Sequence, residues 1–411
     1  MSPPAAPVVD ASRLAMLLAL LVGTSQMSTS TYVPSMPALP TALDTDAATV
    51  QLTLTLFLAG SAVGSLIWGS LADRFGRRPI LFAGFGLFIL ATLACALAQE
   101  ISWLIAARFL QAVGSSVSWV LSRAVVRDLY RRDEATRVLA LIATAFAIAP
   151  VIGPVIGGHI ETWFGWRWTF AFIGIVAIAI ACVVPRLLPE TLKRPDPTAT
   201  DPRRIAANFA TLLRHRAFIG YCGAMGSSMA GMFAFVTAGP FVLMGIVGVS
   251  AEGYGWLSAI VALAFMLGSR LSALSVRRLG HARAIGFGIA IQLLAGASLA
   301  LALAAGVPLA GVTGIVATIG PAALWLTGVA FVQPASAAGA VEPFGHMAGA
   351  ASSASNFLQM AVGTLGSLTV SLLEDGTAVP LAAAMLGAAT LTAVSFYVVV
   401  RPRHDGARAG A

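Results

Sequence analysis

Arg108, Gln111, Ser115, Trp119 and Ser122 follow one another at spacings of 3, 4, 4 and 3. In a helix they therefore share one face. A permanent cation, an amide, two hydroxyls and an indole can grip a small molecule and let it go, but they cannot break a bond in it. Gln26 and Ser30 form a second polar pair one turn apart, and Ser352, Asn356 and Gln359 form a third seam. The serines have an alternative use, bonding one helix to another. Met225, Met229 and Met232 recur at spacings of 4 and 3, placing three thioethers on one helix face. Soft sulfur of this kind suits Cu(I), and it equally suits core packing or an adaptable apolar pocket.

Groups for covalent chemistry are missing. The sequence holds no HExxH, GxSxG or P-loop, and its one lysine, Lys193, lies in a proline-rich stretch. The histidines at 159, 215, 281, 346 and 404 fall near the ends of apolar runs or between them. Cys95, Cys182 and Cys222 sit inside apolar runs without a CxxC, so buried, inert thiols are expected. The chain reads as a binder and carrier, not as an enzyme, and calls for no cofactor and no resident metal.

The elements that must position these residues follow from composition. Of 411 residues, 58% are hydrophobic and 10% charged, against ~45–50% and ~25% in soluble domains. That excludes an ordinary soluble protein. Cutting at charges, prolines and glycine-rich turns leaves twelve apolar segments: about 14–34, 49–71, 79–98, 102–126, 138–160, 166–188, 217–244, 253–273, 284–305, 309–333, 348–373 and 379–400. Each is long enough for a ~30 Å hydrocarbon core at ~1.5 Å per residue. Each must be helical, because unpaired backbone facing lipid is too costly. The fold class expected is an all-α membrane protein of two six-helix pseudo-repeat bundles.

The net charge of +8 could suggest nucleic acid, but its distribution points to the lipid bilayer instead. The basic residues at the N-terminus, in every second gap and in the tail total 23 of 25; only Arg108 and Arg167 are left over. By the positive-inside rule both termini are cytoplasmic. Trp103, Trp163, Trp166, Trp168 and Trp256 lie near segment ends, as an interfacial belt would require. The first segment is read as retained, not as a cleaved signal. The longest polar stretch, 189–216, divides the chain into a first bundle (1–188), a cytoplasmic linker, and a second bundle with a short tail (217–411). The halves echo each other: Ala72–Arg78 recurs in degraded form from Val276, 204 residues on, and Pro34 matches Pro240. Two parallel repeats around a midplane path is a transporter design.

Gly69-Ser-Leu-Ala-Asp73-Arg74-Phe-Gly76-Arg77-Arg78-Pro-Ile-Leu81 resembles, at every characteristic position, the signature loop between the second and third spans of the major facilitator superfamily. Arg108-Phe-Leu-Gln111-Ala-Val-Gly114 is similar to its fourth-span motif, and Gly153-Pro154-Val-Ile-Gly157-Gly158 to its fifth-span antiporter motif. Arg123–Tyr130, Phe164–Arg167 and Gly268–Arg270 extend the resemblance over nearly the whole chain. The nearest branch is the bicyclomycin-resistance (Bcr/CflA) drug exporters. The resemblance implies an inner-membrane antiporter of bacterial type, working as a monomer, that exports small amphipathic drugs or toxins by alternating access in exchange for protons or another ion. It also implies gating by Gly69, Asp73, Arg74, Gly76, Arg77, Arg78 and Asp128, with Asp73 facing the start of the eleventh span.

Candidate substrate-binding residues are Gln26, Ser30, Tyr32, Arg108, Gln111, Trp119, Met225, Met229, Asn356 and Gln359. Arg108 stands about six residues into its span, where burying an arginine costs at least ~2.5–3.5 kcal/mol, so it should face a cavity or a partner. Exporters of this branch carry an acid just before a Tyr-x-Pro at the end of the first span. Here the stretch is Ser28-Thr29-Ser30-Thr31-Tyr32-Val33-Pro34, and no span holds an acid well inside it. Coupling would then use a terminal acid such as Asp128 or Glu342, or His346, or another driving force. The rival reading is uptake of a specific nutrient such as a vitamin, or copper held by Met225, Met229 and Met232.

Overall fold

The computed structural model describes residues 11–192 and 194–400. Lys193, Arg401, Arg403, His404 and Arg408, and the side chains of Arg132 and His346, lie outside the described residues. All regular structure among the described residues is helical: α1 (Ala11–Ser30), α2 (Leu39–Ala42), α3 (Ala47–Phe75), α4 (Arg77–Ala96), α5 (Ile101–Leu129), α6 (Arg132–Phe164), α7 (Trp166–Leu187), α8 (Pro202–Leu213), α9 (Arg216–Pro240), α10 (Ala251–Leu279), α11 (His281–Ala304), α12 (Gly311–Val341), α13 (Ala348–Leu372) and α14 (Val379–Ala393). Leaving out α2 and α8, the twelve long helices correspond in order to the twelve predicted segments. Several run past the apolar limits, because charged residues at a bilayer edge continue a helix into water at little cost.

Eleven segments are long and apolar enough to be candidate spans. The twelfth, α13, misses that mark because Ser352, Ser353, Ser355, Asn356 and Gln359 fall in its first half. Short 3₁₀ or π segments continue α1, α9, α12 and α14, the first of them carrying Pro34 and Pro37.

The helix junctions are built by few residues. Asp46 caps α3 by accepting a 2.6 Å bond from the Thr49 N–H, and that bond holds its carboxyl below the usual value. A single glycine at φ +105°, Gly76, separates α3 from α4; a left-handed φ there is cheap only without a Cβ. Gly280, at φ +81°, separates α10 from α11 in the same way. The sequence echo between the halves is thus a shared one-residue turn.

The chain forms two compact units: one holds the residues through Pro202 together with Ser250–Ala259, the other Arg203–Val249 and the residues from Ile260 on. The first is packed around Leu18 and Leu21 of α1, Phe85 and Phe88 of α4, Leu121 of α5, Ile142 of α6 and Ile173 and Ile180 of α7. Lipid is as apolar as these side chains, so close packing and not water exclusion holds such helices together. Among its described residues the second unit has smaller cores, one around Phe218, Met225 and Phe344, another around Ile285, Ile289 and Phe396.

The stretch 189–216, read as a polar linker, is more structured than its prolines suggest. Its second part is helix α8, whose Leu212 is fully buried against the Phe218 core. Cys182 also departs from expectation: it is exposed, on a helix whose outer face is apolar, while Cys95 and Cys222 are buried. Trp103, Trp163, Trp168 and Trp256 are exposed as a belt requires, but Trp166 is buried edge-on to Phe170.

Candidate functional site

The polar seam of α5 is a helix face turned inward. Arg108 and Gln111 are both fully buried, and Ser115, Ser118 and Ser122 are buried with them. Arg108 Nη1 donates to Gln111 Oε1 at 2.6 Å and to the carbonyl of Ser28 at 3.2 Å. Gln111 Nε2 donates to Thr92 Oγ1 at 2.8 Å, so one network ties α1, α4 and α5 together.

Aromatic rings surround the guanidinium. Its carbon lies 4.1 Å from the ring centre of Phe57, 4.4 Å from that of Tyr32 and 5.8 Å from that of Phe170. Such contacts favour a cation by up to ~2 kcal/mol or more when water is excluded. Tyr32 is held in turn, its hydroxyl 2.6 Å from Thr53 Oγ1 and its ring packed on Phe170. Nε and Nη2 of Arg108 have no hydrogen-bond partner, and no ion pair among the described residues includes this arginine.

The other expected residues of this unit lie as follows. Gln26 is partly buried, and its carbonyl accepts from Ser30 Oγ at 3.1 Å. Trp119 does not join the Arg108 network; it packs on Phe146, and Arg123 lies 4.1 Å over its ring. In α6, a Cβ at Gly157 would run into the backbone of Thr31, one at Gly153 into Ser30, and one at Gly158 into the backbone of Ala251 and Glu252. Pro154 and Pro150 are accommodated within an unbroken α6. The antiporter-like motif is therefore a surface of closest approach. Gly69 is different: an added Cβ would rest 3.7 Å from Val120 Cγ1, an ordinary contact.

The signature loop is a second cluster. Arg77, the first residue of α4, is 3% exposed. Its Nη2 pairs with Asp73 Oδ1 at 2.7 Å and its Nε with Asp128 Oδ2 at 3.1 Å. Thr191 Oγ1 donates to the same Asp128 oxygen at 3.2 Å. The positive N-terminus of α4 is occupied by Glu190, which accepts from the N–H groups of Arg77 (2.9 Å), Arg78 (3.1 Å), Thr191 (2.9 Å) and Leu192 (2.8 Å). Partial burial alone would raise this carboxyl, but the four backbone donors outweigh it and hold it below the usual range. Arg74 reaches Thr200 Oγ1 at 2.6 Å, Arg78 reaches the carbonyl of Pro185 at 3.0 Å, and the Asp196 N–H bonds the Asp73 carbonyl at 2.9 Å. Glu190, Thr191 and Thr200, absent from the expected set, thus strap the loop.

In the second unit Met225 is 1% exposed, enclosed by Phe218, Cys222, Phe344, Ala351 and Ala354, and acts as core. Met229 and Met232 are partly buried, as are Asn356 and Gln359 on α13. Among the described residues no group of three or more His, Cys, Asp or Glu could hold a metal. A buried polar centre here is one that no motif announced: Ser228 accepts from Gln292 Nε2 through its hydroxyl and from Trp325 Nε1, at 3.2 Å, through its carbonyl.

Comparison with known proteins adds four findings. Residues 18–367 match the family model described as Major Facilitator Superfamily. The chain is 32% identical over 370 residues to a bicyclomycin resistance protein homolog of Haemophilus influenzae, covering 89% of this chain and 90% of that one. It is 33% identical over 367 residues to a chloramphenicol resistance protein of Pseudomonas aeruginosa, covering 88% and 84%. In fold it is similar to a crystal structure of a bacterial homolog of the human lysosomal transporter Spinster, with a TM-score of 0.71 at 15% identity over 95% of this chain and 97% of that one.

Proposed function

This chain belongs to the major facilitator superfamily, and from that membership we propose that it exports small amphipathic drugs or toxins by alternating access across a bacterial inner membrane. It is a multi-pass membrane transporter and not an enzyme. Similarity over about nine-tenths of each chain to relatives named for drug resistance supports the export reading. The copper and nutrient reading loses its footing, since Met225 is core and the relatives are named for resistance.

The observation that carries the reading is the fully buried Arg108–Gln111 pair on the inward face of α5. A cation kept at membrane depth in an otherwise apolar bundle is costly, and a polar path through the first unit gives it a use. Gln26, Ser30, Tyr32 and Trp119 extend that path, while Met229, Asn356 and Gln359 serve the second unit. Asp73, Arg77 and Asp128, with Gly69, Arg74, Gly76 and Arg78, form a cytoplasmic gate whose ion pairs exchange during the cycle. Gly153, Pro154, Gly157 and Gly158 seal against leakage by tight contact. Both termini are cytoplasmic, the chain works as a monomer, and exchange uses protons or another ion through a group at a helix end such as Asp128.

Expression in a host stripped of its own exporters should raise tolerance to chloramphenicol, bicyclomycin or another member of a broad panel. Tolerance that does not change for any compound would overturn the export reading.

A further inference from the structure

Arginine has five N–H donors and no acceptor. In Arg108 the two N–H bonds of Nη1 are engaged by Gln111 and the carbonyl of Ser28. The unpartnered atoms are Nε and Nη2. Their N–H bonds lie parallel along one edge of the guanidinium plane, the fork that matches a two-oxygen anion. The guanidinium carbon stands over the rings of Phe57 and Tyr32, so aromatic surface borders the group and leaves the fork as its polar edge.

The charge balance points the same way. Arg108 is fully buried, and its polar neighbours, Gln111, Thr92 and the carbonyl of Ser28, are all neutral. Rings alone do not compensate a buried full charge, which without a counter-charge costs several kcal/mol.

We infer that the side-on fork of Arg108 is a binding site for a compact monoanion, either a carboxylate borne by the transported molecule or an inorganic halide, which completes the charge balance of the first unit. The inference rests on the reading of Arg108 as part of the path. It narrows that reading to substrates or co-ions with a small anionic group.

The test reads binding and not transport, so its failure and that of the export reading are separate results. Purified full-length protein in detergent, at constant ionic strength in sodium gluconate, has gluconate replaced stepwise by formate or by chloride while the thermal unfolding midpoint is followed. Gluconate carries its carboxylate on a polyol too bulky for an enclosed site. A saturable rise with formate alone identifies a substrate carboxylate, and a rise with chloride as well identifies a halide.

Arg108→Gln should abolish the rise. Because that variant can fail to fold, Gln111→Glu provides the second arm. It keeps the arginine and the 2.6 Å contact but places a carboxylate against Nη1, so the rise should vanish there too. No saturable rise in the unaltered protein, or the same rise in Gln111→Glu, would overturn the proposal.

Discussion

Arg77 Nε lies 3.1 Å from Asp128 Oδ2, tying the first residue of α4 to the penultimate residue of α5, while Nη2 of the same side chain holds Asp73 on α3. Three helix ends meet on one nearly enclosed cation. Partly buried charged hydrogen bonds of this kind contribute ~1.5–3 kcal/mol. A double-mutant cycle on Arg77→Gln and Asp128→Asn should give a coupling of ~1–3 kcal/mol in unfolding free energy. Additivity of the two changes would refute the bridge.

Asp73 is the more exposed partner of that cation, so Asp73→Asn should alter the gate more than the fold. Insertion and yield should stay near those of the unaltered protein while drug export falls severalfold. Export at the normal level would remove Asp73 from the gate.

Glu190 gives a pH signature. Its carboxyl is lower in the folded protein than in the unfolded chain, where it titrates near ~4.3. The stability it contributes is therefore complete above that value and is lost as pH falls through the lowered folded one. Glu190→Gln should cost ~0.5–1 kcal/mol at neutral pH. It should also flatten the acid side of the curve of unfolding midpoint against pH; a curve identical to that of the unaltered protein would show that the cap is not coupled to folding.

Arg108 and Arg167 are the two arginines that the charge pattern leaves over, and the structure separates them. Arg167 bonds the carbonyl of Ala98 at 2.9 Å and lies over Trp166 beside a helix end, whereas Arg108 is sealed inside. Arg108→Ala should abolish transport in vesicles, and Arg167→Ala should leave at least about half of it, since losses at partly exposed hydrogen bonds are modest. Equal losses would contradict a special place for Arg108.

Gly157→Ala would push a methyl group into the Thr31 backbone. Forced separation of α1 from α6 should cost ~1–3 kcal/mol, read as a lower unfolding midpoint. Gly69→Ala, which meets only Val120 at contact distance, should be near neutral in the same assay.

Much of this was legible in the residues. Twelve apolar runs gave twelve helices because membrane helices must satisfy their own backbone, which makes hydropathy a direct readout of structure. The common face of Arg108 and Gln111 followed from a spacing of three; that the two bond each other came from the structure. Phe57 and Phe170 could not be picked out as the lining of Arg108, since a phenylalanine in a span looks like any other apolar residue. Glu190 was missed for the opposite reason: an acid among prolines looks like solvated linker. Its one signal was position, an acid directly after a span in the most basic gap of the chain. Met225 kept two readings, because a thioether at helical spacing is the same in a core as in a pocket, and its enclosure by Phe218, Cys222 and Phe344 favours the core.

The low apolarity of α13 has a consequence for biogenesis. A segment with Ser352, Asn356 and Gln359 in its first half is a poor stop-transfer signal by itself. It packs on α9, against whose Ala230 backbone Gly366 is pressed and whose Gly226 receives Val362. Nascent chains in which that groove is blocked should therefore misthread at the eleventh crossing, a lesion that quality-control proteases would see before any defect in transport could be measured.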